Sequence, residues 1–305
     1  MSHATAIAPD HHLKGVLLVG ASSVLWSLGG LIVRSLDSAD PWTTIFWRSV
    51  FATGFLLLFL LVRDGRNALR LFRDMGLPGI LLGLCFTAAS VGFVTALSFA
   101  SVAQTLVIMS SAPLIAAVLG RIVLGERIAP AGYVAIAGVM VGITVMMSSD
   151  LGQERSFAGG LIALGVALSL AGSLIVIRRW PHIRMTPATC TGAALAMVIS
   201  FPLAAPLSVN GHDFALLAFF GAGQLGVGLI LLITGARLIP AAQSALLGML
   251  EPILGPAWVW IFLGEKPLTA TLIGGGIVVA SVFANTIAMT RRRQAAIRAA
   301  SASAK

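Results

Sequence analysis

Ala103–Glu126, AQTLVIMSSAPLIAAVLGRIVLGE, and Ala242–Glu265, AQSALLGMLEPILGPAWVWIFLGE, are two versions of one stretch. Ala103-Gln104, Pro113 and Gly125-Glu126 recur without a gap as Ala242-Gln243, Pro252 and Gly264-Glu265, each 139 positions on. Between the Gln and the Gly-Glu both copies are almost wholly apolar. A duplicated, membrane-length segment is the mark of a transporter assembled from two related halves.

Outward from the repeat, the composition agrees. The chain has 305 residues, 58% of them hydrophobic and 10% charged, with mean hydropathy +0.98, which excludes a soluble globular domain. A membrane helix needs roughly 20 apolar residues. The low-charge stretches divide into ten such segments, at 14–34, 42–62, 77–99, 101–124, 129–148, 158–177, 188–208, 213–236, 239–263 and 267–290. Runs such as Phe55-Leu56-Leu57-Leu58-Phe59-Leu60-Leu61 do not alternate polar with apolar, so a transmembrane barrel is excluded. The expected fold class is therefore an all-α polytopic membrane protein. Its first span reads as a retained helix, not a cleaved signal peptide.

The net charge of +9 is distributed in alternate loops, which points away from nucleic acid. With the amino terminus in the cytoplasm, 16 of the 20 Lys and Arg fall on that side; Arg34, Arg155 and Lys266 fall outside, and Arg48 lies within the second span. This positive-inside bias places both termini in the cytoplasm of a cell whose inner, or plasma, membrane holds the protein. Cys85 and Cys190 lie inside spans with no metal-binding spacing, and all five His are in tails or loops, so no metal or cofactor is expected.

The repeat extends backwards when Gly15, Gly20 and Arg34 are set against Gly160, Gly165 and Arg179. Residues 13–149 and 157–290 form the expected five-helix halves, followed by a basic cytoplasmic tail at 291–305. Five is odd, so the second half crosses in the reverse sense. Loop charge supports this: the basic connection after the second span, with Arg63, Arg66, Arg70 and Arg73, has no basic counterpart beyond His212 between spans seven and eight. Inverted repeats of this kind bind cargo at mid-membrane, between the halves.

Leu124-Gly125-Glu126-Arg127, Leu250-Glu251-Pro252 and Leu263-Gly264-Glu265-Lys266-Pro267, together with Trp26 in span one and Arg48 in span two, resemble the EamA family of the drug/metabolite transporter superfamily. The resemblance covers nearly the whole chain. It implies a ten-helix exporter of small metabolites, with spans one to four and six to nine around a central cavity and spans five and ten outside. Within the family, length and apolar cavity helices look most like the bacterial YddG-type amino acid exporters.

Glu251 is the acidic side chain deepest in a span, about 18 Å along the helix from Pro240. An ionised carboxylate at that depth costs roughly 2.5–3.5 kcal/mol on insertion scales, so it must face a cavity, pair, or be protonated. It reads either as a proton-coupling or substrate-amine site or as a helix-packing carboxylate. Its repeat partner is Ala112, so any coupling role is asymmetric. Arg48, about 9 Å inside its span by the same rise, either binds a substrate carboxylate, snorkels outward or caps backbone carbonyls. Ser244, Gly248, Glu251, Gly255, Trp258 and Phe262 recur at spacings of four and three, which puts them on one face of span nine as the best candidate for cavity lining.

Span four offers Gln104, Ser110 and Ser111; span three offers Ser90; span eight offers Gln224, as a hydrogen-bond donor, in a glycine-rich packing run. Trp26 lies at mid-depth, and Pro113 and Pro252 remove backbone donors mid-helix, predicting kinks that serve either packing or as hinges. No GxxxxGK loop occurs, and no nucleophile with a nearby His, which points to a gradient or coupled protons and away from enzymatic chemistry. The expected partners are a small-molecule substrate and the lipid bilayer; with both halves in one chain, a monomer suffices. Cationic drugs and sugar phosphates or nucleotide sugars stand as alternative cargoes, and a membrane-embedded lipid-modifying enzyme as the alternative of another class.

Overall fold

A computed structural model describes residues 9–126, 128–148, 154–181 and 184–303. Arg127 and Lys305, counted among the cytoplasmic charges, and the tail and loop residues His3 and His182 lie outside the described residues. Among the described residues, ten helices are long and apolar enough to cross a membrane, from His12–Arg34 to Thr269–Arg292.

Several spans are interrupted, and the sequence says why. Span one is α1 (Pro9–Ser27) and α2 (Gly29–Arg34), broken at Leu28 before a pair of glycines. Spans two and three are α3 (Pro41–Asp64) and α5 (Gly76–Phe99), joined through the short α4 (Ala68–Asp74) within the basic segment. Asp40 caps α3 by accepting from the backbone N–H of Trp42 at 2.8 Å and Thr43 at 3.2 Å, ahead of Pro41 at the position where a missing N–H costs least.

Span four is α6 (Val102–Met109) and α7 (Ala112–Leu124); span nine is α13 (Ala241–Gly248) and α14 (Glu251–Leu263). The last residues of α6 and α13 lie four positions before Pro113 and Pro252. These are the carbonyls that a proline leaves without a helical donor. At the first break, Ser110 Oγ and Ser111 Oγ donate to the carbonyls of Val107 and Ile108 at 2.7 and 2.6 Å. Both expected kinks are therefore full interruptions.

Spans five, six and seven are α8 (Pro130–Ser148), α9 (Glu154–Arg179) and α10 (Met185–Ser200). Span seven ends earlier than 208, because Pro202 and Pro206 turn the chain into two 3-10 turns. Span eight is α11 (Gly211–Ala218), a nine-residue π-helical segment Phe219–Val227, and α12 (Gly228–Gly235). Span ten is α15 (Thr269–Ser303), which carries the helix on into the basic tail.

Packing arranges eight spans in a ring, in the order one, eight, two, seven, three, six, four, nine, with nine closing on one. Neighbours in the ring always come from opposite halves of the chain. Spans five and ten pack on each other outside the ring, against four and nine. Close approach of α3 to span eight depends on Gly221, where a Cβ would strike the Arg48 carbonyl oxygen and lie 2.7 Å from Phe51 Cβ.

A polar cavity inside the ring

The ring encloses a cavity of about 170 Å³, lined by residues of spans one to four and six to nine and by none of five and ten. Its wall is apolar: Phe86, Ala89 and Phe93 from span three, Met109 from the end of α6, Leu170 from α9, and Leu225 and Leu229 from span eight. Five of the residues singled out in the sequence line it together: Trp26, Arg48, Ser90, Gln224 and Glu251.

Arg48 is 6% exposed and neither snorkels nor caps a backbone carbonyl. Its Nη1 donates to Ser90 Oγ at 3.0 Å, and its guanidinium carbon lies 4.3 Å from the centre of the Phe220 ring and 5.7 Å from that of Phe93. Aromatic faces carry negative charge density, so the two rings attract the cation. Arg48 Nε is buried without a protein partner.

Gln224 sits in the π-helical segment, 5% exposed. Its Nε2 donates to the Trp26 carbonyl oxygen at 3.0 Å. A carbonyl only accepts, so that contact fixes the amide orientation and leaves Oε1 as the buried, unpaired atom. The second N–H of that amide stays available beside the unpaired acceptor, so the side chain carries both senses of hydrogen bond. Short π-helical insertions cluster at functional sites because they redirect side chains within an otherwise regular helix. Here the segment places Phe220 beneath Arg48 and Gln224 against Trp26.

Glu251 opens α14, half-buried, with no hydrogen bond or ion pair to any described residue. The amino-terminal end of a helix carries partial positive charge from unpaired N–H groups, which offsets part of the cost of a carboxylate there. Glu251 and Arg48 line the same cavity without forming an ion pair. Trp26 lies with its indole against Gly228.

The remaining sequence candidates are placed elsewhere. Ser110 and Ser111 spend their hydroxyls on the break in span four. Gln104 Oε1 accepts from Ser156 Oγ at 3.3 Å, joining spans four and six. Trp258 Nε1 donates to Ser27 Oγ at 2.9 Å, joining spans nine and one. Ser244 is half-buried and Gly248 exposed. Of the six-residue stripe on span nine, Glu251 alone lines the cavity. The interruption at Met249-Leu250 separates two helices, so a 3.6-residue period counted across it does not describe one face.

Sequence reasoning missed Phe86, Phe93, Met109 and Leu170, because an apolar cavity wall has no compositional contrast with a lipid-facing one, and Thr189, whose hydroxyl donates to the Met185 carbonyl of its own helix at 2.9 Å. Asp37, His212 and Asp213 cluster at one end of the bundle, but Asp213 is fully buried and accepts from Asp37 N at 3.1 Å, Ser38 N at 2.8 Å and Ser38 Oγ at 2.6 Å. It clamps the loop after span one onto span eight.

A multi-spanning bundle with a small, mostly apolar cavity at its centre, into which a few polar side chains are set, is the architecture of a secondary transporter. The profile of the EamA-like transporter family matches residues 13–148 and 157–287, and the chain belongs to that family. It is 25% identical over 279 residues to the pseudopaline exporter CntI of Pseudomonas aeruginosa, covering 89% of this chain and 95% of that one. It is 26% identical over 224 residues to the uncharacterized transporter YwfM of Bacillus subtilis, covering 70% of this chain and 75% of the other. A crystal structure shares the fold with a TM-score of 0.65 at 17% identity, covering 90% of this chain and 98% of that chain. The protein is a multi-pass membrane transporter of small molecules, not an enzyme.

Proposed function

We propose that the protein exports small amphipathic metabolites that carry both a carboxylate and an N–H cation, amino acids above all, by alternating access through the central cavity. The observation that carries this reading is the pair of unpaired, buried polar atoms of opposite sense: Arg48 Nε, a donor, and Gln224 Oε1, an acceptor. A buried polar atom without a partner costs about 1–3 kcal/mol, and a zwitterionic cargo supplies a partner to each. Glu251 offers a second acceptor to the ammonium group or takes a proton when cargo leaves. The apolar remainder of the wall suits hydrophobic and aromatic side chains.

A cavity below the roughly 300–1,000 Å³ of drug-sized sites favours small cargo over nucleotide sugars. A single buried arginine is also a poor match for a phosphate, which recruits several cations. Similarity to a pseudopaline exporter supports the outward direction. Alternation of the two halves around the ring supports their reading as inverted five-helix repeats with a single chain as the working unit, and the loop-charge bias supports both termini in the cytoplasm. In that reading the interruptions before Pro113 and Pro252 act as hinges beside the cavity.

The test is transport of radiolabelled amino acids into liposomes holding the purified protein, with and without a pH gradient. Movement of hydrophobic or aromatic amino acids supports the reading. If none moves while a small cation without a carboxylate does, the cargo is a cationic drug. Glu251→Gln is expected to abolish any response to the pH gradient; an unchanged response makes Glu251 a structural carboxylate.

A further inference from the structure

The repeated Gln and Gly-Glu positions do structural work away from the cavity. Gln104 meets Ser156 near the start of α9, and Glu126 Oε2 lies 3.1 Å from Arg178 Nη1 at its end, so span four is tied to span six at both ends. In the second copy, Gln243 Oε1 lies 2.8 Å from His12 Nε2 near the start of α1, and Glu265 Oε2 lies 3.2 Å from Arg34 Nε at the end of α2. Span nine is thereby tied to span one. Each glutamate follows a glycine in the left-handed region, Gly125 at φ 69° and Gly264 at φ 72°, which ends the helix and turns the carboxylate aside. Five crossings separate the end of span four from the end of span nine, so the two ion pairs sit at opposite faces.

We propose that Glu126–Arg178 and Glu265–Arg34 are a matched pair of latches, one closing each mouth of the cavity, that open in turn during transport. Each holds the far tip of a half-helix, α7 or α14, whose other end begins at an interruption beside the cavity. Each joins opposite halves of the chain at a seam flanking the four–nine contact. Among the described residues, the other charged contacts between halves, Arg184–Asp64, His212–Asp37 and the Asp213 clamp, join span two or its preceding loop to spans seven and eight, away from those seams.

The side chains are a third to two-fifths exposed. Ion pairs in such positions bias an equilibrium by no more than about fivefold. Weakness is what alternation requires, because a latch that dominated would trap one face shut.

The proposal rests on the cavity being the cargo site but is tested without cargo. In a Cys85→Ala, Cys190→Ala background, Met109→Cys reports the cavity to a membrane-impermeant maleimide added to right-side-out or inverted vesicles. Glu126→Gln is expected to raise the labelling rate about two- to fivefold from its own face and Glu265→Gln from the opposite face. The exchange Glu126→Arg with Arg178→Glu is expected to return the rate to that of the reporter chain. Labelling that changes from the same face in both variants, changes in neither, or stays raised in the exchange overturns the latches. Opposite-face labelling together with no amino acid transport would leave the latches standing and remove the cargo reading.

Discussion

Arg48 separates binding from stability. Among the described residues it is held by one hydroxyl and two aromatic faces, with Nε unpaired, so the fold gains little from its charge. Replacing a buried charge with an apolar side chain of similar length is often neutral or stabilising by about 1–4 kcal/mol. Arg48→Met is therefore expected to unfold in detergent at the same or higher temperature. Transport is expected to fall by at least about tenfold, the loss of one charge-assisted hydrogen bond worth about 1.5–3 kcal/mol. A variant that unfolds earlier and still transports would make Arg48 a packing residue. Gln224 shows the limit of reading residues singly: its presence in a span marked it, but the Trp26 carbonyl decided the orientation of its amide.

At the scale of elements, the prolines and glycines set where spans break, and their neighbours set what the breaks expose. The π-helical segment carries Gly221 into the backbone of α3, where a Cβ would meet the Arg48 carbonyl. Ala normally favours a helix over Gly by about 1 kcal/mol, whereas forcing a methyl against backbone costs about 1–3 kcal/mol. Here the obstacle is backbone, so Gly221→Ala is expected to destabilise the protein, measured as an earlier thermal unfolding midpoint. A later midpoint would mean that span eight shifts freely against span two. The stripe counted along span nine lost its meaning for the same reason that the break was legible: Pro252 was visible, but the reorientation it permits depends on what α14 packs against.

For the whole molecule, the charge distribution predicts a topology that can be checked. With ten crossings the termini share a face, and the loop bias predicts that it is the cytoplasmic one. A reporter fused after Lys305 is expected to be active only as a cytoplasmic fusion; activity outside the inner membrane would reverse the orientation or make the number of crossings odd. At this scale most of the fold was readable. Ten spans and two bent helices followed from apolar length and proline position, because hydrocarbon thickness and the missing N–H act on sequence locally.

Less of the cavity was readable. Charged and amide side chains such as Arg48, Gln224 and Glu251 stand out within apolar spans, because placing them there is costly. Phe86, Met109 and Leu170 do not, since the same residue types face lipid elsewhere. The repeated Gln and Gly-Glu declared a duplication, but their partners at Ser156, Arg178, His12 and Arg34 lie on other spans. The sequence by itself determined the spans, the two proline sites where helices bend and the duplication, since each depends on the bilayer and on the neighbouring backbone. Only the tertiary structure decided the alternating ring, the polarity of the cavity and the cross-half pairing. Those depend on which surfaces meet, and nothing within a span records its neighbour.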